Sequence, residues 1–321
     1  MSKVALDFAP AFVGQQLRPL LPAGVDFDAL QAQTDTELAR CAHDADVLVS
    51  TRTHIDAHTL RLVPAVRFIQ QLGIGYENLD LPAIGAAGIV AANNAGFCAT
   101  TVAEHTIMLM LVLLHRFVDA HTATRSGAFP MFAFIAANQI HLRELGDETV
   151  GLVGLGNIGQ AVAQRLVGFG TRVLYYARNR ADEAIEARLG VRYTDLDELL
   201  ASASIVSLHL PSSAETRHIM GAAQLARMRP TAFLINTSRG DLIDQAALRQ
   251  AIVAGQLAGA GLDVVEDEPD ELNPFADLPQ VVVTPHSAGI SQTSAPRALE
   301  RAAANIGRFL RGEAVFNVVT G

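Results

Sequence analysis

Three patterns in the C-terminal half carry side chains able to hold an anion or move a proton: NTSRG at 236–240, DVVEDEP at 263–269 and TPHSAG at 284–289. Each follows a short apolar run that reads as a strand. In α/β sheets, ligands bind outside the C-terminal ends of the strands. An arginine beside a glycine there, Arg239, can present its planar fork to a carboxylate. His286 can give or take a hydroxyl proton near neutral pH. Glu268 can orient that imidazole and stabilise its protonated form. Singly, an Arg, a Glu or a His is more often a surface residue. Complementary types at successive strand ends suit hydride transfer between a 2-hydroxy acid and a nicotinamide, with Arg239 holding the substrate carboxylate, Glu268 supporting the histidine and His286 carrying the proton.

Such chemistry needs a dinucleotide site, and residues 150–159 supply its pattern. Val150, Leu152 and Val153 read as a buried strand. Gly154-Leu155-Gly156-Asn157-Ile158-Gly159 then forms G-x-G-x-x-G and runs into a segment with helical apolar spacing. Gly154 is expected to make the tight turn, Gly156 to admit a pyrophosphate and Gly159 to let the helix pack closely. The helix N-terminus offers free N–H groups to the phosphates.

An Asp or Glu about 20 residues after the glycines normally accepts the adenosine ribose hydroxyls of NAD. Here the strand at 172–176 ends in Ala177, followed by Arg178, Asn179 and Arg180. An acid would repel a 2′-phosphate, whereas alanine leaves room and arginine supplies a charge-assisted fork. NADP(H) is therefore expected over NAD(H), with Arg178 as the main phosphate contact, Arg180 as a second and Asn179 beside them. The competing reading makes these surface arginines, with Asp182 replacing the missing acid and NAD(H) bound.

The surrounding pattern is α/β. Strands at Val4–Phe8, Val25–Phe27, Val47–Ser50, Arg67–Gln70 and Ile89–Ala91 alternate with helical segments. A second series runs from the glycine motif through Arg172–Tyr176, Val191–Tyr193, Ile205–Leu208, Ala232–Asn236, Ala258–Asp263 and Val281–Thr284. Two doubly wound parallel-sheet domains follow: a Rossmann cofactor domain at 98–290 inserted in a flavodoxin-like substrate domain at 1–97 and 291–321. The final helix, Ala295–Leu310, and the tail Val315–Val319 are expected to return to the first domain. Thr100–Phe117 is apolar nearly all round and reads as one buried helix. Residues 121–147 show no clear period; the MFAFIA run at 131–136 is either core or an arm on a partner subunit.

Composition sets the outer limits. The chain has 321 residues, 50% of them hydrophobic, which suits one large or two medium domains. A formal charge of −9 and the lack of basic blocks argue against nucleic acid or an anionic membrane as partner. No tract reads as a membrane span, and the N-terminus has no signal-like layout. Cys41 and Cys98 suggest neither a disulfide framework nor a metal site, and a reducing cytoplasm is the expected setting. His43, His54, His58, His115, His121, His141 and His218 form no metal-ligand spacing. His105 is expected to be a hydrogen-bonded core histidine and Cys98 a small packed hydrophobe. Arg52 is read equally as a substrate contact from the first domain or as half of a surface salt bridge.

Taken in order, the glycine motif, Ser238-Arg239-Gly240, Glu268-Pro269 and Pro285-His286-Ser287-Ala288-Gly289 resemble the D-isomer-specific 2-hydroxyacid dehydrogenase family over nearly the whole chain. Its glyoxylate and hydroxypyruvate reductase branch fits best. Leu72–Asp80 is similar to that family's substrate loop, and the resemblance implies that the amides of Ile74 and Gly75 hold the substrate carboxylate. It likewise implies that His209-Leu210-Pro211 lines the nicotinamide side, and that Thr216, Thr237, Ser238, Arg239, Asp263, His286, Ala288 and Gly289 lie near the cofactor. Asn93–Gly96 and Ala103–Thr106 match the loop and helix leading into the cofactor domain. A homodimer built around the cofactor domains is implied too. With NADPH, reduction of a small 2-oxo acid such as glyoxylate or hydroxypyruvate is the expected direction.

Other branches fit less well. Formate dehydrogenases place Gln where this chain has Glu268, and phosphite dehydrogenases carry a Lys in the loop that here holds Ile74. A phosphoglycerate-type, NAD-linked dehydrogenase would call for a basic cluster, and its longer forms for a regulatory domain. The family's nucleotide-sensing corepressors would have no need of the Arg239, Glu268 and His286 set.

Overall fold

Val47–Ser50 and Phe68–Gln71 are buried at every position, as strands covered on both faces must be. The computed structural model describes residues 1–125, 127, 129–138, 142–266, 268 and 273–320. His141, Asp267 and Pro269, which figured in the sequence reading, lie outside the described residues. The chain divides into two compact units, Met1–Cys98 with Ile290–Gly321, and Ala99–Gly289.

In the first unit, β1 (Lys3–Leu6), α1 (Ala11–Leu17), β2 (Asp26–Ala29), α2 (Asp35–Ala42), β3 (Val47–Ser50), α3 (Ala57–Leu62), β4 (Phe68–Gln71), α4 (Leu81–Ala86) and β5 (Val90–Ala92) alternate. All strand pairs are parallel and the order is β2-β1-β3-β4-β5, that of flavodoxin-like folds. Side-chain caps start the helices: Thr34, Asp56 and Asp80 accept the amides of Glu37, Thr59 and Ala83 at 3.2, 2.9 and 3.0 Å.

The second unit opens with α5 (Ala99–Leu114), α6 (Phe117–Arg125) and α7 (Met131–Asn138). Its sheet follows: β6 (Thr149–Val153), α8 (Asn157–Leu166), β7 (Arg172–Tyr176), α9 (Glu183–Leu189), β8 (Val191–Tyr193), α10 (Leu196–Ser202), β9 (Ile205–Leu208), α11 (Ala222–Leu225), β10 (Phe233–Asn236), α12 (Gln245–Val253), β11 (Gly259–Leu262) and β12 (Val281–Val283). The seven strands run parallel in the order β12-β11-β10-β9-β6-β7-β8. Counted from β6, this is the Rossmann order with one more strand at the edge. The order reverses direction between β6 and β9, the switch point at which doubly wound sheets bind ligands.

Both faces of this sheet are covered. Leu109, Met110, Leu113 and Leu114 of α5 pack with Val162 and Leu166 of α8 against Val150 and Leu152. Leu199, Leu200, Leu248 and Ile252 fill the other face with Val206 and Leu234. The helix expected to reach Phe117 stops at Leu114, because Arg116 takes a left-handed backbone (φ 47°) and the chain restarts as α6.

The last helix, α13 (Ser294–Leu310), returns to the first unit, where Leu299, Ala303 and Ile306 pack on Val4, Val47, Val49 and Phe68. The tail pairs with β5: Val319 donates its amide to the Ala91 carbonyl at 2.8 Å, beside an antiparallel bridge from Val318 to Ala92. Among the described residues no single helix is long and apolar enough to cross a membrane.

Candidate active site

The second unit gathers the sequence patterns at the C-terminal ends of its strands. After β6, Gly154 adopts φ 105°, and a Cβ there would meet the His209 carbonyl oxygen at 2.6 Å. A Cβ on Gly159 would meet the Gly154 carbonyl oxygen at 2.3 Å, so the first turn of α8 lies directly against the loop. Gly156 differs: it is exposed, caps α8 without a side-chain hydrogen bond, and a Cβ there would meet nothing within 4 Å. Open space over an uncapped helix N-terminus fits a dinucleotide pyrophosphate. Leu155 is buried, whereas Asn157 is exposed and Ile158 half-buried at the mouth of this turn.

Past β7, Ala177 is half-buried while Arg178, Asn179 and Arg180 are exposed. Both arginines face solvent, but their guanidinium groups are in different states. Arg180 donates to both oxygens of Glu186 at 2.8 Å, Glu186 also accepts the Tyr175 hydroxyl at 2.5 Å, and the Arg180 guanidinium lies 5.7 Å from the Tyr193 ring centre. These partners hold the Glu186 carboxyl down at about 2. Arg178 makes no hydrogen bond or ion pair among the described residues. Asp182 is the residue before α9, well beyond the strand end, and makes no side-chain cap bond.

The catalytic candidates come together on three neighbouring strand ends. Nδ1 of His286 lies 2.6 Å from Oε2 of Glu268. The other glutamate oxygen accepts the Val265 amide at 2.7 Å, so the carboxylate is held from both ends. His286 is itself in a left-handed conformation (φ 50°), with its amide on the Asp263 carbonyl at 2.9 Å. Asp263, buried, accepts the Ser287 and Ala288 amides at 3.0 and 2.8 Å and the Thr284 hydroxyl at 2.6 Å. It therefore builds the turn that presents the histidine. Thr284 also meets His105 at 2.9 Å, so His105 is a hydrogen-bonded residue behind that turn.

Arg239 is half-buried on the turn after β10. Asn236 shapes this turn, accepting the Ser238 amide at 3.0 Å and donating to the Arg239 carbonyl at 2.7 Å. Ser238 donates to the Leu208 carbonyl at 2.8 Å and Thr237 shares a hydrogen bond with Thr106 at 2.9 Å. Gly240 must be glycine, because a Cβ would stand 2.0 Å from the Val265 carbonyl oxygen. The close approach brings the Arg239 turn against the backbone that carries Glu268. The sequence pattern contains both Asn236 and Gly240 but does not announce these roles, which depend on the Ser238 amide and the Val265 carbonyl.

Beyond β9, His209 is buried, and burial pushes its imidazole down to about 4, so it stays neutral. Its Nε2 meets Ser207 at 3.0 Å, while Nδ1 is buried with no partner among the described residues. Leu210 is half-buried, Pro211 exposed, and Thr216 donates to the Pro211 carbonyl at 2.8 Å. Ala288 is buried and Gly289 half-buried at the far side of the histidine turn.

In the first unit, the loop from Leu72 to Asn78 has its carbonyls tied back. Asn93 donates to the Ile74 carbonyl at 2.6 Å, Asn94 to the Leu72 carbonyl at 3.0 Å, and the Asn94 amide to the Gly73 carbonyl at 3.0 Å. The amides of Ile74 and Gly75 donate to no acceptor among the described residues. Arg52 is exposed and likewise makes no hydrogen bond or ion pair among them. No group of three or more His, Cys, Asp or Glu among the described residues could hold a metal ion.

The family profile of the D-isomer specific 2-hydroxyacid dehydrogenase NAD binding domain matches residues 107–288. The chain belongs to that family. A glyoxylate reductase of Korarchaeum cryptofilum is 40% identical over 278 residues, covering 86% of this chain and 83% of that protein. A D-3-phosphoglycerate dehydrogenase of Mycobacterium bovis is 34% identical over 320 residues, covering 98% of this chain but 58% of that protein. Among solved structures, an acyclic imino acid reductase in complex with NADPH and D-Arg superimposes with a TM-score of 0.86 at 26% identity, covering 99% of this chain and 100% of that one. The enzyme is thus an oxidoreductase that uses a nicotinamide cofactor and a small-molecule substrate. The fold, two all-parallel sheets with a Rossmann order in the second, is that of the family.

Proposed function

We propose that the enzyme reduces a small 2-oxo acid to the D-2-hydroxy acid, with NADPH preferred to NADH. The observation that carries this reading is the His286–Glu268 contact of 2.6 Å at the end of a dinucleotide-binding sheet. Bound at the glycine turn, the cofactor supplies a hydride, and so two electrons, to the carbonyl carbon. His286 gives the proton that the carbonyl oxygen takes up, and Glu268 stabilises the imidazolium beforehand. Arg239 pairs with the substrate carboxylate and polarises the carbonyl. The family resemblance also assigns to a substrate carboxylate the Ile74 and Gly75 amides, which donate to no acceptor among the described residues.

Cofactor preference rests on Ala177, which puts no acid where a 2′-phosphate would sit, and on Arg178, whose guanidinium makes no hydrogen bond or ion pair among the described residues, Glu215 acting on it only through longer-range charge. Glu186 occupies Arg180, so Arg178 carries most of this role.

A homodimer through the second unit accounts for its exposed arm. α6 buries no side chain and α7 only Asn138, while Phe129 and Phe132 are 83% and 79% exposed. Short helices like these need a packing partner, and a second copy of the chain supplies it. Cys41 and Cys98 are buried thiols, consistent with a reducing cytoplasm.

The test is steady-state kinetics of glyoxylate and hydroxypyruvate reduction with each cofactor. Turnover with kcat/KM higher for NADPH is expected; equal or better efficiency with NADH would overturn the cofactor preference.

A further inference from the structure

One guanidinium joins the two loops that carry Arg239 and Glu268, and it belongs to neither of them. Arg217 lies on the chain after β9, past residues 210–216. Its Nη2 donates to Oε1 of Glu266, two residues before Glu268. Its Nη1 stands 3.8 Å from Oδ2 of Asp241, two residues after Arg239. All three segments belong to the second unit.

The two loops already touch at Gly240, where a Cβ would stand 2.0 Å from the Val265 carbonyl oxygen and 2.4 Å from the Glu266 amide nitrogen. One backbone contact fixes how close the loops come, but not how they are turned against one another. The residues around Arg217 supply the second point. His218 is left-handed (φ 52°) and gives its amide to the Asp241 carbonyl at 2.8 Å. Met220 then donates to the Leu242 carbonyl at 3.0 Å, and Asp244 to the Met220 carbonyl at 3.2 Å. The arginine's own segment is thereby tied to the turn that presents Arg239. On the other loop, Glu266 meets both Arg217 and Nε2 of His218, the latter at 3.3 and 3.4 Å from its two oxygens.

An exposed ion pair is worth little by itself. Arg217 differs in what it neutralises, because Asp241 and Glu266 are both half-buried. Ser212 donates to Oδ2 of Asp241 at 2.5 Å, while Oδ1 is buried with no hydrogen-bond partner among the described residues. A buried carboxylate oxygen without a donor is costly, and the nearby guanidinium offsets part of that cost. Without Arg217, two like charges on different loops would face the same space.

We propose that Arg217 is a positioning residue: by holding Asp241 and Glu266 together it sets where Arg239 stands relative to Glu268, and through Glu268 how His286 is aimed. This rests on the reading that those three act in the reduction of a 2-oxo acid. The other titratable groups on these loops are His218 on Glu266, Asp263 within the histidine turn, and His105, 3.5 Å from Asp263.

The experiment follows glyoxylate and hydroxypyruvate reduction with NADPH across the neutral and alkaline range. It uses the full-length wild type, Arg217→Ala, Arg217→Lys, Glu266→Gln and the double variant Arg217→Ala/Glu266→Gln. Arg217→Ala should lower kcat about ten- to hundredfold, the scale of a slightly misplaced reacting group. Arg217→Lys keeps the charge but not the fork and should recover part of the loss. NADPH affinity by fluorescence titration should stay within a few fold of wild type. The alkaline limb of kcat/KM, where the proton donor is lost, should move to lower pH by about half a unit to one unit in Arg217→Ala. A Glu268 that is less well aimed stabilises the imidazolium less. Glu266→Gln should move the limb the same way. The double variant should lose no more kcat than Arg217→Ala alone, because both residues act through one contact.

A limb that stays in place, or losses that multiply in the double variant, overturns the inference and leaves the reaction standing. A fall in NADPH affinity that matches the loss of kcat overturns it in favour of a cofactor contact. Should Arg217→Ala fail to fold, the limb in Arg217→Lys and Glu266→Gln decides. No turnover of either acid by the wild type overturns the reaction and the inference together.

Discussion

Glu268 holds His286 at 2.6 Å with one oxygen and the Val265 amide at 2.7 Å with the other, so the imidazole is oriented by a carboxylate that is itself anchored to backbone. A charge-assisted contact of this kind defines which ring nitrogen is left for the substrate: Nε2. His286→Ala should lower kcat about 10²- to 10⁴-fold, the usual range for a lost general acid. Glu268→Gln should lower kcat less, because the ring remains placed. Fluorescence titration should show NADPH affinity within a few fold of wild type for both. A His286→Ala enzyme that keeps its turnover would mean that the proton comes from elsewhere.

The glycine turn separates two kinds of necessity. A Cβ on Gly159 would stand 2.3 Å from the Gly154 carbonyl oxygen, whereas one on Gly156 would meet nothing within 4 Å. Gly159→Ala should therefore lose stability, about 1–3 kcal/mol by the measure of overpacked sites. Gly156→Ala should keep its melting temperature and lose cofactor affinity, because the methyl group fills space reserved for the pyrophosphate. Thermal melts and NADPH titrations on both variants check this, and a Gly156→Ala protein with normal affinity would contradict it.

Cofactor choice is expected to follow Arg178 more than Arg180. Arg180 is committed to Glu186, with two contacts of 2.8 Å, and the Arg178 guanidinium has no hydrogen-bond or ion-pair partner among the described residues. In Arg178→Ala the ratio of kcat/KM for NADPH over NADH should drop about ten- to hundredfold. Arg180→Ala should change it several-fold less. The reverse order would place the 2′-phosphate against Arg180.

The sequence made some of this legible and hid the rest for definite reasons. Strands Val47–Ser50, Arg172–Tyr176, Val191–Tyr193 and Ile205–Leu208 are found with the limits read from sequence, because they are short and rich in β-branched or aromatic residues, too short for a helix of that burial. α7 went unread, since Met131–Ile135 is apolar on every side and has no period. The break between α5 and α6 also went unread, because it depends on the left-handed backbone of Arg116, which no pattern announces. At the site, Arg239, Glu268 and His286 were visible by type. Their contacts were not: Gly240 lies against the Val265 carbonyl, and Asp263 holds the Ser287 and Ala288 amides from the end of another strand. Such pairings are long-range and leave no local spacing.

The exposed arm makes a prediction about assembly. Phe129 and Phe132 stand 83% and 79% exposed beside helices that bury almost nothing of their own. Contiguous apolar surface of this kind marks an interaction site. Sedimentation velocity should give a dimer for the wild type and a monomer, or a much weaker dimer, for Phe132→Glu. A monomeric wild type would mean that the arm serves another partner.

Stability should respond to acid through His209. Its imidazole is held down to about 4, from an ordinary 6.5, by burial without compensating charge. The unfolded chain takes up a proton below 6.5 while the folded protein does not, so the unfolded state binds more protons across that window and stability falls as pH falls. The loss begins near pH 6.5, is complete near pH 4 and reaches about 3 kcal/mol, the free energy of a shift of that size. In His209→Gln that part of the slope should vanish, leaving the carboxylate contribution common to both proteins. Urea unfolding at pH 7.5, 6 and 5 on the two proteins measures it. Parallel curves would show that His209 accepts its proton without cost, and that its buried Nδ1 finds a partner in solution.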